Sequence, residues 1–129
     1  MKSVIDASTV LAVCRQEPGA NEARYKMRHG LITTVNLSEV FQKSMEHGKL
    51  PLAQAIIQTA GLNVVEFNEE LALRAAELAA QTKKHAMSLA DRACLALGIT
   101  EQLPVITGDR KWLELSVGVK VEMFRPGVN

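Results

Sequence analysis

The chain has 129 residues and a mass of 14.1 kDa, with 15 Lys and Arg against 14 Asp and Glu and a formal net charge of +1. Hydrophobic residues make up 47% and charged ones 22%, and the 8 glycines and 4 prolines are scattered, so intrinsic disorder, collagen-like and low-complexity chains are excluded and a single domain over 1–129 is expected. Near-neutral charge also excludes a protein that coats nucleic acid indiscriminately, because that affinity needs a large basic excess, and leaves room only for a local basic patch.

Lys2 to Ile5 reads as a strand running into Asp6-Ala7-Ser8 and an apolar helix through Cys14. Pro18-Gly19 punctuates, Asn21 to Arg28 forms a short helix, and His29-Gly30 closes it before the strand Leu31 to Thr34. Asn36 is expected to cap a helix to about His47, with Leu37, Val40, Phe41 and Ser44 on one stripe and Gly48 beyond its end; Pro51 opens another helix that ends at Gly61. A strand follows at Asn63 to Phe67, then a helix from Glu69 to Gln81 with acids first and Lys83-Lys84 past its end, as the macrodipole prefers. Ser88 caps an apolar helix through Leu97 with Gly98 near its end. The strand Pro104 to Thr107, a short helix from Arg110 to Leu115, the strand Lys120 to Phe124 and a polar tail at Pro126-Gly127 complete the chain. Short strands alternating with helices predict an α/β fold of three layers, a parallel sheet covered on both faces.

No apolar run approaches the roughly 18 to 20 residues of a membrane span, and Asp6 interrupts the stretch that an export signal would continue. No membrane association and a cytoplasmic location are therefore expected. Cys14 and Cys94 sit in apolar helical patterns, where a reducing compartment keeps them as packing thiols, and two thiols without matched histidines make no zinc site.

Ligands of open α/β sheets bind beyond the carboxyl ends of the strands, where the strand order reverses. Asp6 follows the first strand and Asp109 the fourth, while Glu39 and Asp91 fall in the first turns of predicted helices. Each acid has a plain structural reading: Asp6 and Asp109 as N-caps, Asn36 with Glu39 and Ser88 with Asp91 as capping boxes. Together, with no Lys or Arg at the matching strand-end positions, they form a cluster of like charge in which two carboxylates ~4 Å apart cost about 4 kcal/mol. A divalent cation relieves this repulsion, and an all-oxygen donor set favours Mg²⁺ or Mn²⁺. Ser8, Thr9 and Thr107 are candidate partners for waters around such an ion, or simply caps.

Four blocks now carry a resemblance: Val4-Ile5-Asp6-Ala7-Ser8, Asn36-Leu37-Ser38-Glu39-Val40, Ser88-Leu89-Ala90-Asp91-Arg92-Ala93-Cys94-Leu95-Ala96-Leu97, and Val105-Ile106-Thr107-Gly108-Asp109-Arg110-Lys111-Trp112. Over nearly its whole length the chain resembles PIN-domain ribonucleases, in particular the VapC-type toxins of toxin-antitoxin pairs. The resemblance implies a five-stranded parallel sheet in the order 3-2-1-4-5, with Asp6, Glu39, Asp91 and Asp109 as the acidic metal quartet. It further implies a metal-dependent endoribonuclease acting on structured RNA such as transfer RNA, and a cognate antitoxin. Asp6, Asp91 and Asp109 are expected as direct ligands of Mg²⁺ or Mn²⁺, with Glu39 holding a second ion or orienting water. Gly108 stands where relatives often carry a larger residue, which implies a locally altered loop with the acid in place.

RNA approaching an acidic site needs cations at its rim. Arg92, Arg110 and Lys111 are nearest in sequence, with Arg15, Arg24, Lys26, Arg28, Lys43 and Lys49 as further patch candidates. Trp112 in a short helix reads as core rather than as a base-stacking platform, and His29, His47 and His85 as surface residues outside the chemistry. The helices at 21–28, 36–47 and 51–60 carry extra apolar residues fit for a dimer face and an antitoxin groove. The rival from another class is a non-catalytic PIN-like module binding RNA or protein, its acids serving only as caps. A receiver domain lacks its paired acids here, and an aspartyl-phosphate phosphatase would need an acid where Ser8 stands.

Overall fold

The computed structural model of the chain describes residues 2–125. Five parallel strands, β1 (Val4–Ile5), β2 (Leu31–Thr33), β3 (Asn63–Val65), β4 (Val105–Thr107) and β5 (Val121–Met123), pair in the order β3-β2-β1-β4-β5, as the resemblance implies. Helices α1 (Ala7–Arg15) and α2 (Ala20–Lys26) connect β1 to β2, α3 (Thr34–Met45) and α4 (Leu50–Ala60) connect β2 to β3, and α5 (Glu69–Gln81) and α6 (Leu89–Glu101) lead to β4. No helix among the described residues is long and apolar enough to cross a membrane.

The strand register divides the core. Val4 pairs with Val105 and Ile5 with Ile106, and successive strand side chains point to opposite faces. Ile5, Ile32 and Ile106 accordingly pack with Val10, Val40 and Ile56 of α1, α3 and α4. Val4 and Val105 pack on the other face with Leu71, Leu78, Leu95 and Leu97 of α5 and α6. Strands of two or three residues supply few ladder hydrogen bonds. Burial of these side chains, at about 1.5–3 kcal/mol each, therefore carries the sheet. Trp112 is fully buried in the second cluster, within a 3-10 turn at Arg110–Glu114, so it is core as expected. Cys14 and Cys94 are buried free thiols on opposite sides of the sheet, consistent with packing roles.

Two local expectations are corrected. Asn36 does not cap α3: Thr33, still extended at φ −73° and ψ 157°, accepts the Asn36 N–H at 3.0 Å. The helix thus begins at Thr34, and Glu39 lies in its second turn without a capping box. A β-branched residue with a hydroxyl can both end a strand and cap a helix, a dual use that periodicity does not reveal. Gly98 does not stop α6, which continues to Glu101. A Cβ there would lie 2.7 Å from Val105 Cγ1 and 2.9 Å from Val119 Cγ2, so this glycine permits close approach of helix and sheet. The tail at Pro126-Gly127 lies outside the described residues.

Candidate active site

Because β1 and β4 are neighbours, the backbone N–H of Asp6 donates to the Ile106 carbonyl at 3.0 Å, and the residues following the two strands are brought side by side at the switch point. Asp6 precedes α1 but makes no side-chain cap. Its carboxylate instead receives two hydroxyls on one oxygen: Ser8 Oγ donates to Oδ2 at 2.6 Å and Thr107 Oγ1 donates to the same atom at 2.8 Å. Each hydroxyl is itself anchored by the backbone after β4, with the Gly108 N–H donating to Ser8 at 3.0 Å and the Asp109 N–H to Thr107 at 3.1 Å. Neither contact uses Asp6 Oδ1. Thr9 plays no such part, since its buried hydroxyl donates to the Ile106 carbonyl at 3.0 Å and holds α1 against β4.

Asp6 is only 5% exposed. Burial pushes its carboxyl from 3.8 up to about 6; the two hydroxyl hydrogen bonds pull it back in part, and the nearby charges of Asp91 and Glu39 add to the rise. The charges of the same three acids also reach Cys94 in the apolar core, whose thiol is pushed well above its usual value by burial first and then by Asp6, Asp91 and Glu39. Asp6, Glu39, Asp91 and Asp109 line one cleft of about 310 Å³, together with Ser8, Arg15, Glu17, Lys43 and Arg125.

The capping readings hold for two of the acids. Asp91 closes a full capping box with Ser88, accepting the Ser88 N–H at 2.9 Å while Ser88 Oγ accepts the Asp91 N–H at 3.1 Å. Asp109 caps the 3-10 turn by accepting the Lys111 N–H at 3.1 Å. A capping carboxylate retains lone pairs for a ligand, and both acids still line the cleft. The placement of Asp91 relative to Glu39 is backed by Asn36, fully buried, whose Nδ2 donates to the Ala90 carbonyl at 2.9 Å. This one bond joins α3, three residues before Glu39, to α6 beside Asp91.

The expectation of a cluster without cations is corrected. Lys43 lies 3.5 Å from Glu39, one helical turn away, and Lys111 lies 3.7 Å from Asp109. Arg15, Lys43 and Arg125 line the cleft, so mutual repulsion is moderated by the protein itself. Of the cations nearest in sequence, Arg92 points elsewhere: its Nη1 donates to the Ala75 carbonyl on α5 at 2.8 Å. Arg110 is exposed but does not line the cleft, nor does any of the three histidines. Arg125 escaped sequence reading because it stands far along the chain and arrives only through the pairing of β5 with β4.

Among the described residues, no group of three or more His, Cys, Asp or Glu is gathered so as to hold a metal ion ready-made. The donor set still fits a hard divalent cation in an open, water-filled mode, because Mg²⁺ commonly takes one or two carboxylates, keeps several waters and completes its shell with substrate phosphate. A raised, buried carboxyl facing two other acids is the electrostatic imbalance that such a cation removes.

An α/β/α sandwich with an acidic cleft at its switch point is the class of protein that fold and site define. The family model described as PIN domain matches residues 3–117, and the chain belongs to that family. Among solved structures, a DNA-bound VapBC from Salmonella typhimurium superposes with a TM-score of 0.73 at 14% identity, over 96% of this chain and 98% of that one. VapBC2 from Rickettsia felis, bound to a promoter DNA fragment, gives 0.72 at 13% identity over 95% and 98%. VapBC-5 from Mycobacterium tuberculosis, of the VapBC toxin-antitoxin family, gives 0.66 at 19% identity over 97% and 98%. At these identities the likeness establishes a shared fold. Comparison with curated proteins finds no match.

Proposed function

We propose that the chain is a divalent-metal-dependent endoribonuclease, the toxin of a toxin-antitoxin pair, acting on structured RNA such as transfer RNA. The observation that carries the reading is the gathering of Asp6, Glu39, Asp91 and Asp109 on one cleft, with Asp6 buried and its carboxyl raised among the others. When bound, Mg²⁺ or Mn²⁺ would supply water activation and stabilisation of the leaving oxygen in an in-line displacement. Asp6, Asp91 and Asp109 would hold the ion, and Glu39 would hold a second ion or orient water. Ser8 and Thr107 fix the Asp6 carboxylate through Oδ2, and Asn36 fixes the Glu39 helix against the Asp91 helix. Partner binding has support in exposed apolar side chains on the helices singled out in the sequence: Tyr25 on α2, Met45 on α3 and Leu52 on α4. These would serve a homodimer face and an antitoxin groove.

The capping roles of Asp91 and Asp109 favour the rival reading, a non-catalytic binding module. The two part on one assay: total transfer RNA incubated with the protein and Mn²⁺ or Mg²⁺ should be cut, with loss of cutting in EDTA and at least a hundredfold loss in Asp91→Asn. Equal cleavage by wild type and Asp91→Asn would sink the nuclease reading.

A further inference from the structure

Besides the acids, the cleft is lined by two arginines that hold one carboxylate between them. Arg125 Nη2 donates to Glu17 Oε1 at 3.2 Å, and Arg15 Nη1 lies 3.7 Å from Glu17 Oε2. One negative charge between two guanidinium groups leaves a net positive charge, and both arginines line the acidic cleft. The seat of Arg125 is shaped for it. Its guanidinium carbon sits 4.7 Å from the centre of the Phe124 ring. A Cβ on Gly108 would come within 2.6 Å of Arg125 Nη2 and 2.8 Å of that ring, and one on Gly19 within 2.7 Å of Arg125 Cβ. Two residues that lack side chains, one of them beside Asp109, thus clear the space that the arginine fills. Its side chain stays 30% exposed. A surface clasp between β5 and the turn after α1 would need neither the opening at Gly108 nor a second arginine on the same carboxylate.

From this geometry we infer that Arg125 is a phosphate-binding residue of the cleft: with Arg15 it grips a backbone phosphate of the nucleic acid and orients the strand against the acids. The inference rests on the ribonuclease reading and adds to it the group that receives the polyanion. Arginine suits the task because its planar fork can hold Glu17 through Nη2 while the other terminal nitrogen, Nη1, is left for a phosphate oxygen.

The test uses the full chain carrying Asp91→Asn, so that RNA is bound but not consumed, with Mg²⁺ present. A fluorescein-labelled transfer RNA transcript and a short mixed-sequence single-stranded RNA serve as probes, titrated by anisotropy from about 50 to about 200 mM salt. Adding Arg125→Ala should weaken binding roughly tenfold and reduce the slope of log affinity against log salt by about 0.7 on the single strand. Arg125→Lys should restore the slope and part of the affinity, while Lys2→Ala, at the opposite end of β1, should change neither. A clasp with no role in binding predicts the reverse: Arg125→Ala lowers the melting temperature and leaves affinity and slope intact, which overturns the inference alone. If neither RNA binds the Asp91→Asn protein or the wild-type protein at any salt, the ribonuclease reading itself falls.

Discussion

Asp6 shows how one side chain can be arranged against the stability of the chain that holds it. Its carboxyl is raised from 3.8 to about 6 by burial, despite two hydroxyl donors. A carboxyl raised in the folded state binds more protons folded than unfolded across that interval, so metal-free stability is greatest below the unfolded value and falls as pH rises to about 6. The displacement corresponds to on the order of 3 kcal/mol in full. Asp6→Asn keeps an oxygen to accept from Ser8 and Thr107 and removes the charge. In metal-free protein at neutral pH it should therefore raise the melting temperature by about 5 °C or more and flatten its dependence on pH between about 4 and 6, while abolishing RNA cleavage. A melting series in EDTA, wild type against variant, checks it; a lower melting temperature in the variant would show that the buried charge is already compensated.

At the scale of elements, the site depends on how α3 and α6 meet. The buried amide of Asn36 spans them, receiving the Thr33 hydroxyl and donating to Ala90. Truncation leaves the buried Thr33 hydroxyl without its acceptor, at a cost of about 1–3 kcal/mol, and removes the tie from α3 to Ala90 on α6. Asn36→Ala should lower the denaturant midpoint and cut cleavage together, whereas Ser38→Ala on the exposed side of α3 should do neither. Arg92→Ala should behave differently: it loses its bond to α5, costing about 1 kcal/mol, with RNA affinity unchanged by anisotropy. That contrast marks what sequence can reach. Asp6 and Asp109 are legible because acids within a residue or two of a strand's end fall at the sheet's carboxyl edge whatever the helix details, and Ser88 with Asp91 is legible because a capping box is local. The direction of Arg92 is not, because a helical side chain leaving the first turn can serve either the mouth of the sheet or the neighbouring helix, and only the packing of α5 decides. Thr33 hid the start of α3 for a related reason, being equally good as strand end and cap.

For the whole molecule, a net charge of +1 conceals a cleft of mixed sign, with four acids of the quartet and Glu17 facing Arg15, Lys43 and Arg125. Such a cleft can admit a polyanion only if the acids are neutralised, so ion binding and folding should be linked. A ligand bound to the folded state alone stabilises it by RT ln(1 + [L]/Kd), about 2.7 kcal/mol at a hundredfold excess over Kd. Saturating Mn²⁺ should accordingly raise the wild-type melting temperature by several degrees at neutral pH. The rise should shrink below pH about 6, where protons compete at Asp6. In Asp6→Asn it should shrink at every pH, even as the variant starts from a more stable metal-free state, so the two melting curves converge as Mn²⁺ is added. Scanning calorimetry across a Mn²⁺ titration reads this directly. Parallel shifts in wild type and variant would mean that the ion binds elsewhere and that the acids act as helix caps alone.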